Sequence, residues 1–300
     1  MAPPARIISP DIIYTVSLLI HQQGGQIPVH SRKSHERHGQ NAGDNQRDAR
    51  PTQRLGHVAV IQLLANAGHQ HNGDGEADLV LGSWAESSGT GAVYFISGPI
   101  DADIEDAGFR IAGSAAGSFF GSHGAVAGDL DGDGGDDVVI GLDGPPPDGW
   151  CAYGISGDVA ADALVTDVAI LMIDAGDDTE IHCHYLSRGD IGGDGEPELL
   201  VGDATTDDGD SDVGAVYAFD GPVASHSDLS VDGVLALADA DVVVYGIGED
   251  AQVAPAEVGD FDGDGTGDLA VGAPLFVHSV VGDGAVFLFL GPLSPGQYSL

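Results

Sequence analysis

Short apolar runs, separated by Gly, Asp and Pro, fill residues 55–300. The runs are rich in Val, Ile, Leu and aromatic residues, which is typical of β-strands. One stretch predicts strands near Ser122–Ala127, Val138–Gly141, Trp150–Ile155 and Val168–Ile173. No helical apolar period of useful length occurs in 55–300, so the fold is predicted to be all-β.

Two landmarks recur four times along this segment. The first alternates acids with Gly and then enters an apolar run, at 69–82, 128–141, 189–202 and 259–272. The second, typified by Gly91-Ala92-Val93-Tyr94-Phe95, follows each copy, and three of the four copies then reach Gly-Pro. Repeats of roughly 60 residues, each with about four short antiparallel strands, predict β-propeller blades. The expected units are about 55–113, 114–173, 174–238 and 239–300.

Charge divides the chain near residue 55. Residues 1–54 hold seven of the nine basic residues and four acids, whereas 55–300 hold only Arg110 and Arg188 against 44 acids. We expect 1–54 to be an irregular leader, either foreign to the fold or a weak signal region. Its apolar run, Ile12–Ile20, is too short to span a bilayer and has no clear cleavage site. The strongly negative remainder argues against nucleic acid and anionic lipid as partners and favours cations.

The acidic segments predict loops that bind a hard divalent cation. Carboxylates at positions 1, 3, 5 and 9, with a backbone carbonyl at position 7, supply the oxygen ligands that Ca2+ prefers. Without an ion these carboxylates would repel one another. The second loop offers Asp129, Asp131, Asp133, Gly135 and Asp137, and the fourth offers Asp260, Asp262, Asp264, Thr266 and Asp268. The third offers Asp190, Asp194, Glu196 and Glu198, and the first retains Asn72, Asp74 and Asp78.

Some of these residue patterns also fit other kinds of site. An EF-hand needs a Glu at position 12 and flanking helices, but position 12 is Ile140, Val201 or Val271. Asp and Gly also suit plain turns, although a plain turn does not explain the recurrence. His182 and His184 share one face of a strand and could pair on zinc, but no further ligands are visible in the sequence. Cys151 and Cys183 fit either a single disulfide or two small buried residues.

The repeat resembles the FG-GAP repeat of the integrin alpha-subunit β-propeller and its bacterial relatives. Phe120-Gly121 matches the Phe-Gly element and Gly272-Ala273-Pro274 matches the Gly-Ala-Pro element. Tyr245-Gly246 is a close variant of Phe-Gly and Leu55-Gly56 a looser one. The family's propeller usually has seven blades. Four units therefore imply a four-bladed closure, an open arc or part of a longer gene product.

These observations predict a non-catalytic, calcium-binding propeller module. Weak calcium sites are filled outside the cell, which favours an extracellular or surface location and a protein or glycan ligand for a binding or adhesion scaffold. The alternative is a hydrolase-associated propeller or an enzyme with an unrecognised active site. Adaptation to high salt is a third explanation of the acidity.

Overall fold

A computed structural model describes most of the repeat region. It covers residues 59–63, 76, 78–98, 108–133, 135–144, 149–175, 183–206, 213–221, 223, 233–246, 252–275 and 284–300. All of them belong to one compact unit, Leu55–Leu300. The predicted leader, residues 1–54, lies outside the described residues.

The described residues form four sheets, numbered here in chain order. The first sheet contains β1 (Ala59–Leu63), β2 (Leu79–Gly82), β3 (Ala92–Ile96), β4 (Gly108–Ala112) and β8 (Ala163–Leu164). The second contains β5 (His123–Gly128), β6 (Asp137–Gly141), β7 (Trp150–Ile155), β9 (Ala169–Asp174) and β13 (Val234–Ala236). The third contains β10 (Tyr185–Gly189), β11 (Glu198–Asp203), β12 (Ala215–Phe219), β14 (Val242–Tyr245) and β18 (Gly296–Ser299). The fourth contains β15 (Ala254–Gly259), β16 (Asp268–Ala273) and β17 (Ala285–Phe289).

The arrangement confirms the all-β prediction of propeller-like units. Each of the first three sheets is a four-stranded antiparallel meander. The first strands of successive sheets lie side by side, β1 next to β5, β5 next to β10, and β10 next to β15. The described helical elements are single turns: α1 (Glu86–Gly89), α2 (Val165–Val168) and a 3-10 turn at Leu237–Asp239. Within the described residues, no helix is both long and apolar enough to cross a membrane.

A fifth strand in each of the first three sheets comes from the following repeat unit. β8 pairs in parallel with β4, β13 with β9, and β18 with β14. Each donated strand lies between the third and fourth strands of its own unit, or directly after the third strand in the case of β18. The sequence pattern predicts only four strands in a unit and does not reveal this exchange. The donated strands tie neighbouring sheets together through backbone hydrogen bonds.

Apolar side chains fill the spaces between successive sheets because the central strands are buried on both faces. In β6, Val138 and Ile140 face the first sheet, whereas Val139 joins the cluster shared with the third sheet. In β11, Leu200 likewise points toward the fourth sheet and its neighbours Leu199 and Val201 toward the second. This alternation with period two follows from strand geometry. It explains why these strands read as continuous apolar runs.

In the second and fourth units, a buried residue shortly before the first strand anchors the sheet to the preceding one. In the second unit it is Phe120, which is fully buried and packs edge-to-face on Tyr153 with ring centroids 6.0 Å apart. In the fourth unit it is Val253, also fully buried; the residue before it, Gln252, has φ 52°, as does Phe119 before Phe120. Tyr245-Gly246 therefore does not take the place of Phe120-Gly121. Its Gly246 N–H donates to the Gly214 carbonyl just as the Gly113 N–H donates to the Gly91 carbonyl.

In the third unit this anchor is covalent. Cys183, which is fully buried, forms a disulfide with Cys151 of β7, with the two Cα atoms 5.3 Å apart. The bond links the second sheet to the segment that enters β10. The third unit has no Phe-Gly element before its first strand, and the disulfide supplies a covalent link between these two sheets.

Removing this disulfide is expected to destabilise the protein. Closing a loop across a sequence separation of 32 residues lowers the entropy of the unfolded chain and stabilises the fold by about 3–4 kcal/mol. We expect the double variant Cys151→Ala, Cys183→Ala to lose that much free energy of unfolding, measured by urea titration. Reduction of the wild type should shift its urea midpoint similarly and leave the double variant unchanged. An unchanged urea midpoint of the wild type under reductant would contradict a stabilising role for this disulfide.

Candidate metal centre

The acidic segments join the first and second strands of their sheets. The loop at 129–136 connects β5 to β6, that at 190–197 connects β10 to β11, and that at 260–267 connects β15 to β16. All three therefore lie at corresponding ends of successive sheets. Asn72 and Asp74 of the first loop lie outside the described residues, whereas Asp78 is described and buried.

The carboxylate at position 9 braces each loop from within the fold. Asp137 is fully buried; its Oδ2 accepts hydrogen bonds from the N–H groups of Leu130, at 2.6 Å, and Asp131, at 3.2 Å. Its Oδ1 accepts a third from the Gly157 N–H at 2.9 Å. Asp268 repeats the arrangement with Phe261, Asp262 and Gly291. The first strand-forming residue after the loop thus ties it to the turn that follows the third strand.

The partner glycine of this brace explains one of the sequence landmarks. Gly98 donates its N–H to Asp78 Oδ1 at 2.8 Å, and Gly291 donates to Asp268 Oδ1 at 2.9 Å. Both are the Gly of a Gly-Pro pair. Gly157 does the same in the second unit although Asp158 follows it. The recurrence of the Gly-Pro pair is visible in the sequence, but the hydrogen bond that its Gly makes to the position-9 carboxylate is not.

Three carboxylates converge in the second loop and three in the fourth. One oxygen from each of Asp129, Asp131 and Asp137 lies within 4.8 Å of the others, and the same holds for the set Asp260, Asp262 and Asp268. Two oxygens on one calcium ion lie at most about 5 Å apart, because each Ca–O bond is about 2.3–2.6 Å. Positions 1, 3 and 9 can therefore share one ion with little rearrangement.

The position-5 carboxylates do not join these groups. Asp133 Oδ1 accepts the Gly135 N–H at 2.7 Å, and Asp264 Oδ1 accepts the Thr266 N–H at 2.8 Å and the Thr266 hydroxyl at 2.5 Å. The bonds from Thr266 hold the pKa of Asp264 below its usual value. Gly135 and Thr266, predicted as carbonyl ligands, serve here as N–H donors. Their role as ligands stays a prediction.

Two glycines allow the loop backbone to turn back on its first carboxylate. Gly263 at position 4 and Gly265 at position 6 have φ of 83° and 95°, which only glycine adopts cheaply. Both donate their N–H groups to Asp260, at 2.6 and 3.0 Å. Both glycines belong to the alternation of acids with Gly that recurs along the sequence. Gly134 lies outside the described residues.

The third loop has backbone hydrogen bonds like those of the second and fourth loops, but its carboxylates differ. Glu198 Oε2 accepts the Ile191 N–H at 2.7 Å, and Oε1 accepts the Gly192 N–H at 3.0 Å. A Cβ at Gly192 would lie 2.5 Å from Glu198 Oε1, so the longer side chain at position 9 fills the space left at position 3. Asp190 accepts the Gly193 N–H and Asp194 accepts the Glu196 N–H. Of the residues described in this loop, no three carboxylates converge as they do in the second and fourth.

Burial and like charge together make the second loop costly to ionise. Burial raises the pKa of Asp137 from 3.8 to about 6, opposed by the N–H groups of Gly157 and Leu130 and assisted by the charge of Asp131. The pKa of Asp131 is also raised, chiefly by burial and then by Asp133 and Asp129. Burial likewise raises the pKa of Glu198. A bound cation would remove this cost by favouring the charged forms.

Comparison with known families identifies the fourth unit. Residues 256–289 match the model of a protein family that is described as the FG-GAP repeat. This segment is similar to the FG-GAP repeat family. It runs from the later part of β15 through the Asp260–Asp268 loop and β16 to the end of β17, so the FG-GAP repeat contains one of the two convergent carboxylate groups whole. The resemblance noted from the sequence is confirmed there. A comparison with curated proteins gave no match.

The raised pKa of Asp137 predicts a pH-dependent stability of the calcium-free protein. Between about pH 4 and pH 6 the folded state holds the Asp137 proton that the unfolded chain has lost, so stability should fall as pH rises. Thermal melts in calcium-free buffer should show this slope, and Asp137→Asn should flatten it. Asp167→Asn is the matched control, because Asp167 is an exposed carboxylate outside the loops. Equal slopes in all three proteins would contradict the assignment of this pH dependence to Asp137.

Proposed function

We propose that this chain is a calcium-stabilised, non-catalytic propeller module that serves as a binding or adhesion scaffold. The observation that carries the proposal is the recurrence of one carboxylate arrangement at corresponding ends of successive sheets. Two of these loops bring three carboxylate oxygens within the span of a single ion. The FG-GAP match over 256–289 supports the propeller assignment.

Calcium is the ion that suits these loops best. All the converging groups are carboxylate oxygens, and Ca2+ takes six to eight oxygen ligands in flexible geometry. Mg2+ prefers near-octahedral geometry and keeps several waters. Zinc and copper favour imidazole or thiolate, neither of which belongs to these two groups. The ion would stabilise the fold by holding the loop carboxylates together at the ends of the first two strands.

The position-9 carboxylates support a structural rather than a catalytic role. Asp137 and Asp268 direct both oxygens to backbone N–H groups, which is an arrangement for holding a loop in place. The raised pKa of Asp137 follows from its burial within this brace. The proposal therefore assigns the carboxylates to metal binding and leaves ligand recognition to surface loops.

An extracellular or surface location fits the covalent and ionic features together. A structural disulfide such as Cys151–Cys183 persists in oxidising compartments. Exposed loop sites with affinities of about 10⁻⁴–10⁻³ M would be filled by extracellular calcium and mostly empty in cytosol. The ligand we propose is accordingly an extracellular protein or a glycan.

Calorimetric titration with Ca2+, paired with thermal melts in calcium and in chelator, tests the proposal. A free calcium concentration of about 100 times the Kd of a site adds about 2.7 kcal/mol to the free energy of unfolding. Calcium should therefore raise the Tm clearly. Asp131→Asn and Asp262→Asn should each lose one binding event and part of that gain, while changing little in chelator. Asp131→Ala combined with Asp133→Ala should behave likewise.

Asp167→Asn serves as the control, since it removes the same charge from an exposed site outside the loops. It should bind calcium like the wild type. Equal losses of Tm in calcium and in chelator would count against a metal role for the loops. A Tm that follows KCl but not Ca2+ would favour adaptation to salt instead.

A further inference from the structure

A further group of potential metal ligands, besides the two carboxylate groups, lies at the opposite end of β5 from the acidic loop. His123 is the first residue of β5, Asp143 follows β6 and His184 precedes β10. One ligand atom from each lies within 4.8 Å of the others. His123 and Gly128 are the first and last residues of β5, so about 16 Å of strand separates His123 from the start of the acidic loop. This group is therefore distinct from the carboxylate site.

The side chains already approach the geometry of a tetrahedral site. His184 Nε2 lies 3.2 Å from Asp143 Oδ1. The edge of a tetrahedron around zinc is about 3.3 Å, because Zn–N and Zn–O bonds are about 2.0–2.2 Å. The rings of His123 and His184 meet edge-on, with centroids 5.2 Å apart. Small side-chain rotations would bring all three ligand atoms onto one ion.

The fold holds the three ligand-bearing segments together by two local features. Gly141 has no side chain, and a Cβ there would lie 2.9 Å from the Cys183 carbonyl and 3.2 Å from His123 Cβ. Its absence lets the segment before β10 approach the end of the β5–β6 hairpin. The Cys151–Cys183 disulfide then fixes the residue next to His184 against β7. Backbone placement therefore does not depend on the metal.

The donor set selects a different class of ion from the acidic loops. Two imidazoles and one carboxylate suit zinc and similar borderline metals, whereas Ca2+ and Mg2+ prefer oxygen ligands alone. The side chains of His184 and Asp143 are 23% and 53% exposed, so an ion can reach them. The negative charge of the protein favours cation approach.

We propose that His123, Asp143 and His184 form a binding site for a borderline divalent metal ion such as Zn2+, with water completing the coordination. The ion would join the second sheet to the entry of the third. The sequence suggested only a pairing of His182 with His184; His182 lies outside the described residues. In the structure the ligands near His184 come from positions 61 and 41 residues earlier in the chain.

Titration of the whole protein with ZnCl2, in saturating CaCl2 at neutral pH, tests the site. We expect one tight equivalent of zinc and a rise in Tm. CoCl2 should give the intense visible absorption of a tetrahedral Co2+ centre. Each of His123→Gln, His184→Gln and Asp143→Ala should weaken that equivalent by at least the roughly 10–100-fold that loss of an outer-shell partner costs.

The controls separate this site from other histidines and from the acidic loops. His278→Ala removes a histidine outside the group and should bind zinc like the wild type. Asp131→Asn should alter calcium binding but leave the Co2+ spectrum unchanged. Asp143→Ala changes an exposed side chain, so it should keep the wild-type fold even where a histidine variant does not. Wild-type zinc affinity in Asp143→Ala and His184→Gln would overturn the proposal, leaving only an ion pair.

Discussion

A buried carboxylate at the start of the second strand is the constraint on which these units depend. Burying Asp137 or Asp268 is unfavourable unless its oxygens are satisfied, and each accepts three backbone N–H groups from two separate turns. These bonds hold the acidic loop in one conformation. Because the loop is held, the carboxylates at positions 1 and 3 converge instead of separating under their mutual repulsion. The candidate cation site therefore depends on the hydrogen bonds between the buried carboxylate and the backbone N–H groups of the loop.

Neighbouring sheets are joined by three kinds of contact that complement one another. Apolar side chains alternate along the central strands and fill both faces. A strand from the next unit extends the outer edge by parallel pairing. A single anchor before the first strand then fixes the contact, as an aromatic ring at Phe120, a valine at Val253 or a disulfide at Cys183. Different chemistry thus links neighbouring sheets in different units.

The two ends of the second sheet offer ligands of different character. Oxygen donors from one contiguous loop gather at the end of β5, where local turns place them. Imidazole and carboxylate groups from distant segments gather at its beginning, where the disulfide and Gly141 allow a close approach. Hard and borderline cations would therefore be separated by the length of one strand.

The β-strands, the repeat and the acidic loops are predictable from the sequence alone, because each is encoded by neighbouring residues: apolar runs, Gly at tight turns and alternating carboxylates. The strands at Val138–Gly141 and Trp150–Ile155 were predicted almost to the residue. The contacts between units, in contrast, depend on how the folded sheets pack. The exchange of β8, β13 and β18, the Cys151–Cys183 disulfide and the meeting of His123 with His184 all join residues far apart in the chain. No local pattern encodes such contacts, because they arise when sheets pack on one another.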